Sequence, residues 1–270
     1  MAVVLVALAV VGVVAVQRLS VAPSTPNTVV GGQDSTRGVS LINAGGPDAQ
    51  PLLDRVSAEA GPAVAAVEGF WGTDWGRTDR ARPGPVVIVA TGTPAQFAAR
   101  AGAGGAERAD TAAVAVADRV DPASRTVEGQ RIVLAPGAAA MNPQDLRIVL
   151  RHELFHYAAR ADTALDAPRW LTEGVADYVA RPAPSAPIRV DTSRLPSDAE
   201  FTGTAAELSA AYDRAWLFAR FVADRYGAPA LRLLYLRAAG VGHADTATAL
   251  RDVLGTGADD VLAQWREWAH

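Results

Sequence analysis

Apolar positions along this chain change period several times, and each change marks an element. Residues 1–16, MAVVLVALAVVGVVAV, form an uncharged apolar run with no polar face. As a helix the run is roughly 24 Å long, short of the ~30 Å hydrocarbon core of a bilayer. Leu19, Val21 and Ala22 extend it past Gln17 and Arg18. The pattern predicts a membrane anchor or the apolar part of a signal peptide over residues 1–22. Residues 23–50 are rich in Pro, Gly, Ser, Thr and Asn with no sustained period, which predicts a flexible linker. The body of the protein is expected over residues 51–270.

Within that body, PLLDRVSAEAGPAVAAVEGFWG has helical spacing, with a break expected near Gly61 and Pro62. PVVIVA, residues 85–90, is a short apolar run after Pro and Gly and predicts a buried strand. TPAQFAARAG follows as a helix, with Thr93 as cap, Pro94 at its first position and Gly102 as its stop. TAAVAVAD and QRIVLAP read as two further strands, and the RVDPASRTVEG segment between them as a loop. From Asn142 onward the pattern is helical. Asn142 and Pro143 open one helix, and APRWLTEGVADYVAR forms a second. A long helix ends at Gly227, and two or three shorter ones follow. Sheet elements first and helices after make an α+β fold: an N-terminal mixed β-sheet with helices, then a mainly helical C-terminal part.

Composition narrows the chemistry. The chain has 270 residues, half of them hydrophobic, enough to bury a sizeable core. Its formal net charge is −4 and no basic stripe stands out, so nucleic-acid binding has no electrostatic support. With no cysteine, disulfides, thiolate ligands and a cysteine nucleophile are excluded. Any metal must be held by imidazole and carboxylate.

Two of only four histidines lie in RHELFHYAAR, residues 151–160. On a helix, positions four apart differ by about 40° and share a face. His152 and His156 therefore project together, as two ligands of one ion require. Glu153 sits about 100° round, near enough to reach a water on the metal as a general base. The bland alternative is a helix carrying two satisfied imidazoles. A catalytic zinc takes three protein ligands and one water. The metzincin pattern would need Gly and His where Ala159 and Asp162 stand, which rules it out. RWLTEGVADYVA offers Glu173 as the third ligand. Asp177, one turn later, would orient a ligand imidazole through its free N–H. The alternative for both acids is an exposed acidic face near a helix N-terminus.

These two segments resemble the gluzincins, zinc metallopeptidases with HExxH followed by a glutamate on a second helix. Pro168, Trp170, Leu171, Glu173, Gly174, Ala176 and Tyr178 match the segment that carries the third ligand in the peptidase MA-like group. The link between the motifs is a few residues shorter than in thermolysin, implying a compact connection. The resemblance implies a zincin-like domain that hydrolyses peptide bonds, with zinc activating water and Glu153 moving its proton. It also implies an oxyanion donor on a later helix, which by position is Tyr212, with His243 as the other choice. Peptidases of this kind hold substrate extended against an edge strand before the active helix, a role TAAVAVAD could fill as readily as that of an ordinary packed strand. The expected partners are a peptide or protein substrate and, through the N-terminal segment, a membrane, with the catalytic body outside the cytoplasm. The other function to weigh is a membrane-tethered binding or regulatory module that keeps the fold without catalysis. Phe70, Trp71, Trp75, Trp216, Trp265 and Trp268 are expected in the core rather than at a ligand.

Overall fold

A computed structural model describes residues 28–30, 38–73, 84–102, 111–185 and 188–269. The segment expected to meet the membrane, residues 1–22, lies outside them. Among the described residues no helix is long and apolar enough to cross a membrane. The chain divides into two compact units, residues 1–161 and 162–270. Elements are mixed α and β, as the sequence predicts.

The first unit is built on a five-stranded sheet. Its strands are β1 (Thr28–Val30), β2 (Val39–Asn43), β3 (Val86–Ala90), β4 (Ala113–Val116) and, after a small hairpin, β7 (Arg131–Leu134). Their order is β1-β2-β3-β7-β4. β3 lies between β2 and β7 and runs parallel to both, while β1 and β4 pair antiparallel at the two ends. Val86, Ile88, Val89 and Ala90 are all buried, as a strand flanked on both sides requires.

The linker expected over residues 23–50 is corrected at Thr28–Val30, which is strand β1, and again in its second half. Val39–Asn43 is a strand, and a short 3-10 helix follows at Gly46–Ala49. Only Val39 and Leu41 of β2 are buried, an alternation too short to read locally. The strand is specified by its pairing with β3, a partner more than forty residues away. The loop expected at residues 119–129 is a hairpin, β5 (Arg119–Asp121) with β6 (Thr126–Glu128). Its three-residue arms bury only Val127, too little for a readable alternation.

Helix α1 (Gln50–Trp71) runs unbroken through Pro62, contrary to the expected break. Proline removes a hydrogen bond to the carbonyl four residues back. That carbonyl belongs to Ala58, and both residues are exposed, so the missing bond falls on the solvent side of the helix. Helix α2 (Pro94–Ala101) starts and stops where the sequence predicts: Thr93 and Gln96 form a reciprocal capping box, and Gly102 ends it at φ 76°. Helix α3 (Pro143–Ala159) is capped by Asn142, whose side-chain oxygen accepts from the Asp145 N–H at 2.9 Å. α1 braces α3. Arg147 on α3 makes a two-pronged ion pair with Glu59 on α1, both contacts at 2.8 Å. Trp71 meets the Phe155 ring edge-on at 5.5 Å.

The second unit is helical: α4 (Arg169–Ala180), α5 (Ala205–Tyr226), α6 (Ala228–Ala239), α7 (Thr246–Leu254) and α8 (Ala258–Trp268). α5 ends at Gly227, φ 91°, as predicted. Phe218 is the hub of its core, meeting Trp170 at 5.4 Å and Trp265 at 5.1 Å, both edge-on. Trp71, Trp216 and Trp265 are buried, in line with the core role expected for them, Trp268 is exposed at the C-terminal helix, and Trp75 lies outside the described residues.

Candidate metal centre

α3 presents the HELFH segment on a helix. His152 and Glu153 are fully buried, and His156 is nearly so. The Nε2 atoms of the two imidazoles converge to 3.0 Å. Two nitrogens on one tetrahedral zinc, each about 2.0–2.1 Å from it, would stand about 3.4 Å apart. The four-residue spacing thus brings the two ring nitrogens near the separation that a shared ion would require.

On α4, Glu173 is 2 % exposed. His152, His156 and Glu173 each offer a ligand atom, and these atoms all lie within 4.8 Å of one another. Such a buried set of two imidazoles and one carboxylate could hold a metal ion. The donor set fits a divalent ion of intermediate softness. The exposed acidic face considered as an alternative for Glu173 and Asp177 is excluded by their burial.

Glu153 is held by the sheet. Its Oε2 accepts from the main-chain N–H of Ala115 in β4 at 2.6 Å. The carbonyl of the same Ala115 accepts from Arg160 Nη2 at 2.9 Å. The sequence reading missed both Ala115 and Arg160. No local signal marks a hydrogen bond between residues 45 apart, and Ala115 contributes only main-chain atoms. These bonds also bear on the substrate-strand role considered for residues 111–118. A peptide could pair at Ala115 only by displacing Glu153 and Arg160.

α4 is held differently. A Cβ on Gly174 would lie 2.5 Å from the Ala215 carbonyl oxygen of α5, so only glycine permits this approach. The residue next to Glu173 therefore sets how closely its helix meets α5. Asp177 is fully buried and pairs with Arg181 at 2.8 Å. Arg181 also donates to Asp213 at 2.9 Å and lies over the Trp216 ring at 5.1 Å. Burial pulls the Arg181 guanidinium down, but the charges of Asp177 and Asp213 outweigh it and hold its pKa above the ordinary value. Arg181 stands four residues after Asp177, a helical ion-pair spacing that the sequence does display.

Tyr212 is buried on α5, with its ring edge-on to Phe201 at 5.3 Å. Phe201 belongs to a short 3-10 helix, Asp198–Thr202, that Glu200 anchors. Glu200 accepts from Arg194 at 2.6 Å, from the Ser197 N–H at 2.8 Å and from Arg214 at 2.7 Å. Arg194 first, then the Ser197 amide, depress its pKa strongly. Arg214 is thereby a structural cation. Tyr178 is partly buried, and that burial pushes its phenol up, with Asp224 adding to the effect. His243 Nε2 lies 3.3 Å from the exposed Asp166 carboxylate, a surface pairing.

No family model, curated protein or solved structure matches this chain.

Proposed function

We propose that this protein is a zinc-dependent metallopeptidase of zincin-like fold. The observation that carries the reading is the convergence of His152, His156 and Glu173 within 4.8 Å, on helices whose sequences resemble the two gluzincin motifs. His152, His156 and Glu173 would hold the ion. When bound, zinc supplies a Lewis acid and lowers the pKa of water from about 15.7 towards about 7.

The remaining work falls to the chain. Glu153 is the general base, taking the proton of the attacking water and passing it to the leaving amine. Its Oε2 accepts from the Ala115 amide, which fixes the orientation of the carboxylate. Burial of Glu153 keeps bulk water from competing for that proton. Tyr212 is the proposed donor to the oxyanion, by its place in the resemblance. Asp177 serves α4 through Arg181, and orienting a ligand imidazole is its proposed second task. The substrate is a peptide or protein. The apolar segment 1–22 is the proposed anchor or signal, placing the body outside the cytoplasm.

The test is a peptide-library digest by the zinc-loaded chain and by Glu153→Gln. The substitution is expected to lower cleavage by about 100-fold or more while zinc stays bound. Cleavage that survives it contradicts the mechanism. Absence of cleavage by either form supports a non-catalytic binding module instead.

A further inference from the structure

Ala115 occupies an unusual position in the sheet. β4 is the last strand, and its register with β7 pairs Val114 with Val133 and Ala115 with Ile132. The Ala135 N–H donates to the Ala112 carbonyl, which sets the alternation. Along an antiparallel strand, successive residues turn both main-chain groups towards the neighbour or away from it. Ala112, Val114 and Val116 therefore face β7, and Ala113 and Ala115 face away.

On that far side Glu153 of α3 and Arg160, the residue that caps α3, take both groups of Ala115. Glu153 accepts from its N–H and Arg160 donates to its C=O. The bond from Arg160 has a cationic donor, the stronger class of hydrogen bond. Glu153 and Arg160 are two helical turns apart, about 10.5 Å along the axis and within about 20° of the same face. The long arginine side chain closes that distance. Neither peptide plane at Ala115 can rotate without breaking one of the two bonds.

We propose that Arg160 is a positioning residue for Glu153. It acts through Ala115: by holding the carbonyl, it keeps the amide of the same residue aimed at the Glu153 carboxylate. The catalytic consequence rests on the peptidase reading above, whereas the clamp itself does not.

The experiment uses the full zinc-loaded chain, as wild type, Arg160→Met and Arg160→Lys. Methionine keeps an apolar stem and loses the donor, and lysine restores one donor. The first readout is amide hydrogen exchange at Ala115, measured against Val114, whose N–H faces β7. In Arg160→Met the Ala115 to Val114 exchange ratio is expected to rise about tenfold, with zinc stoichiometry unchanged. On a cleaved peptide, kcat should fall about tenfold with KM nearly constant, as for an interaction made in the transition state. Arg160→Lys should recover most of both. General destabilisation would speed both amides together and leave the ratio unchanged, which would overturn the proposal. A rise in KM with kcat intact would also overturn it, because Arg160 would then be gripping substrate. Should Arg160→Met fail to fold, Arg160→Gln is read in the same way, with an unchanged ratio counting against the clamp. If the wild type cleaves no peptide, the hydrolase reading falls and the exchange ratio still decides the clamp.

Discussion

α3 and α4 each carry ionisable side chains into a buried setting, and they are secured by different means. α3 is held by polar arms: Glu153 and Arg160 reach Ala115, and Arg147 reaches Glu59. α4 is held by close backbone approach, with Gly174 passing the Ala215 carbonyl, and by a charge cluster of the buried Asp177 with the partly buried Arg181 and Asp213. A polar arm can be shortened or re-angled and still find its partner. A main chain running against a neighbouring carbonyl has no such freedom. The helix that bears two candidate ligands and the candidate base should therefore tolerate side-chain changes that the helix bearing Glu173 does not.

The sharpest way to break this contrast is at the charge cluster. Arg181→Met leaves the fully buried Asp177 carboxylate without its guanidinium. Removing one member of a buried pair costs about 3–5 kcal/mol. Denaturant unfolding should show a loss of that size, and a change below about 1 kcal/mol would mean the cluster contributes little.

Gly174→Ala should cost less, about 1–3 kcal/mol, since α4 must move off α5 to make room. The same substitution should weaken metal binding, because Glu173 rides on the displaced turn. Isothermal titration with zinc checks this, and unchanged affinity would show that the contact is not needed to place Glu173.

The smallest effect is expected away from both helices, at Glu200. Its folded pKa lies well below the ordinary 4.5, chiefly through Arg194 and the Ser197 amide. A depressed carboxylate stabilises the fold fully above its unfolded pKa, and that stability is lost as pH falls through the folded value. Acid unfolding followed below about pH 4.5 should thus be shallower in Glu200→Gln than in the wild type. Identical acid limbs would show that the arginine pair does not favour the folded state.

Much of the site could be read in advance because its information is local. His152, Glu153 and His156 lie within five residues on one helix, and Asn142 and Pro143 announce where that helix starts. Glu173 is where the search for a third ligand points, and it lies with the two imidazoles in the candidate cluster, while Thr93, Gly102 and Gly227 mark ends that the structure keeps. What could not be read is non-local or carried by the main chain. β2 is too short to show its period and depends on β3. Pro62 survives inside α1 because the missing bond falls on the solvent side of the helix. Arg160 matters through a backbone carbonyl 45 residues away. Gly174 sits in the motif, but its reason is the Ala215 carbonyl on another helix.

The measurement closest to the central claim is zinc stoichiometry in the purified chain, dialysed and reloaded, for the wild type, His156→Ala and Glu173→Ala. One tightly bound zinc in the wild type is predicted, with affinity falling in each variant by more than the about 10–100-fold that an outer partner is worth. A wild-type chain that retains no zinc, or variants that bind it as tightly as the wild type, would contradict the account.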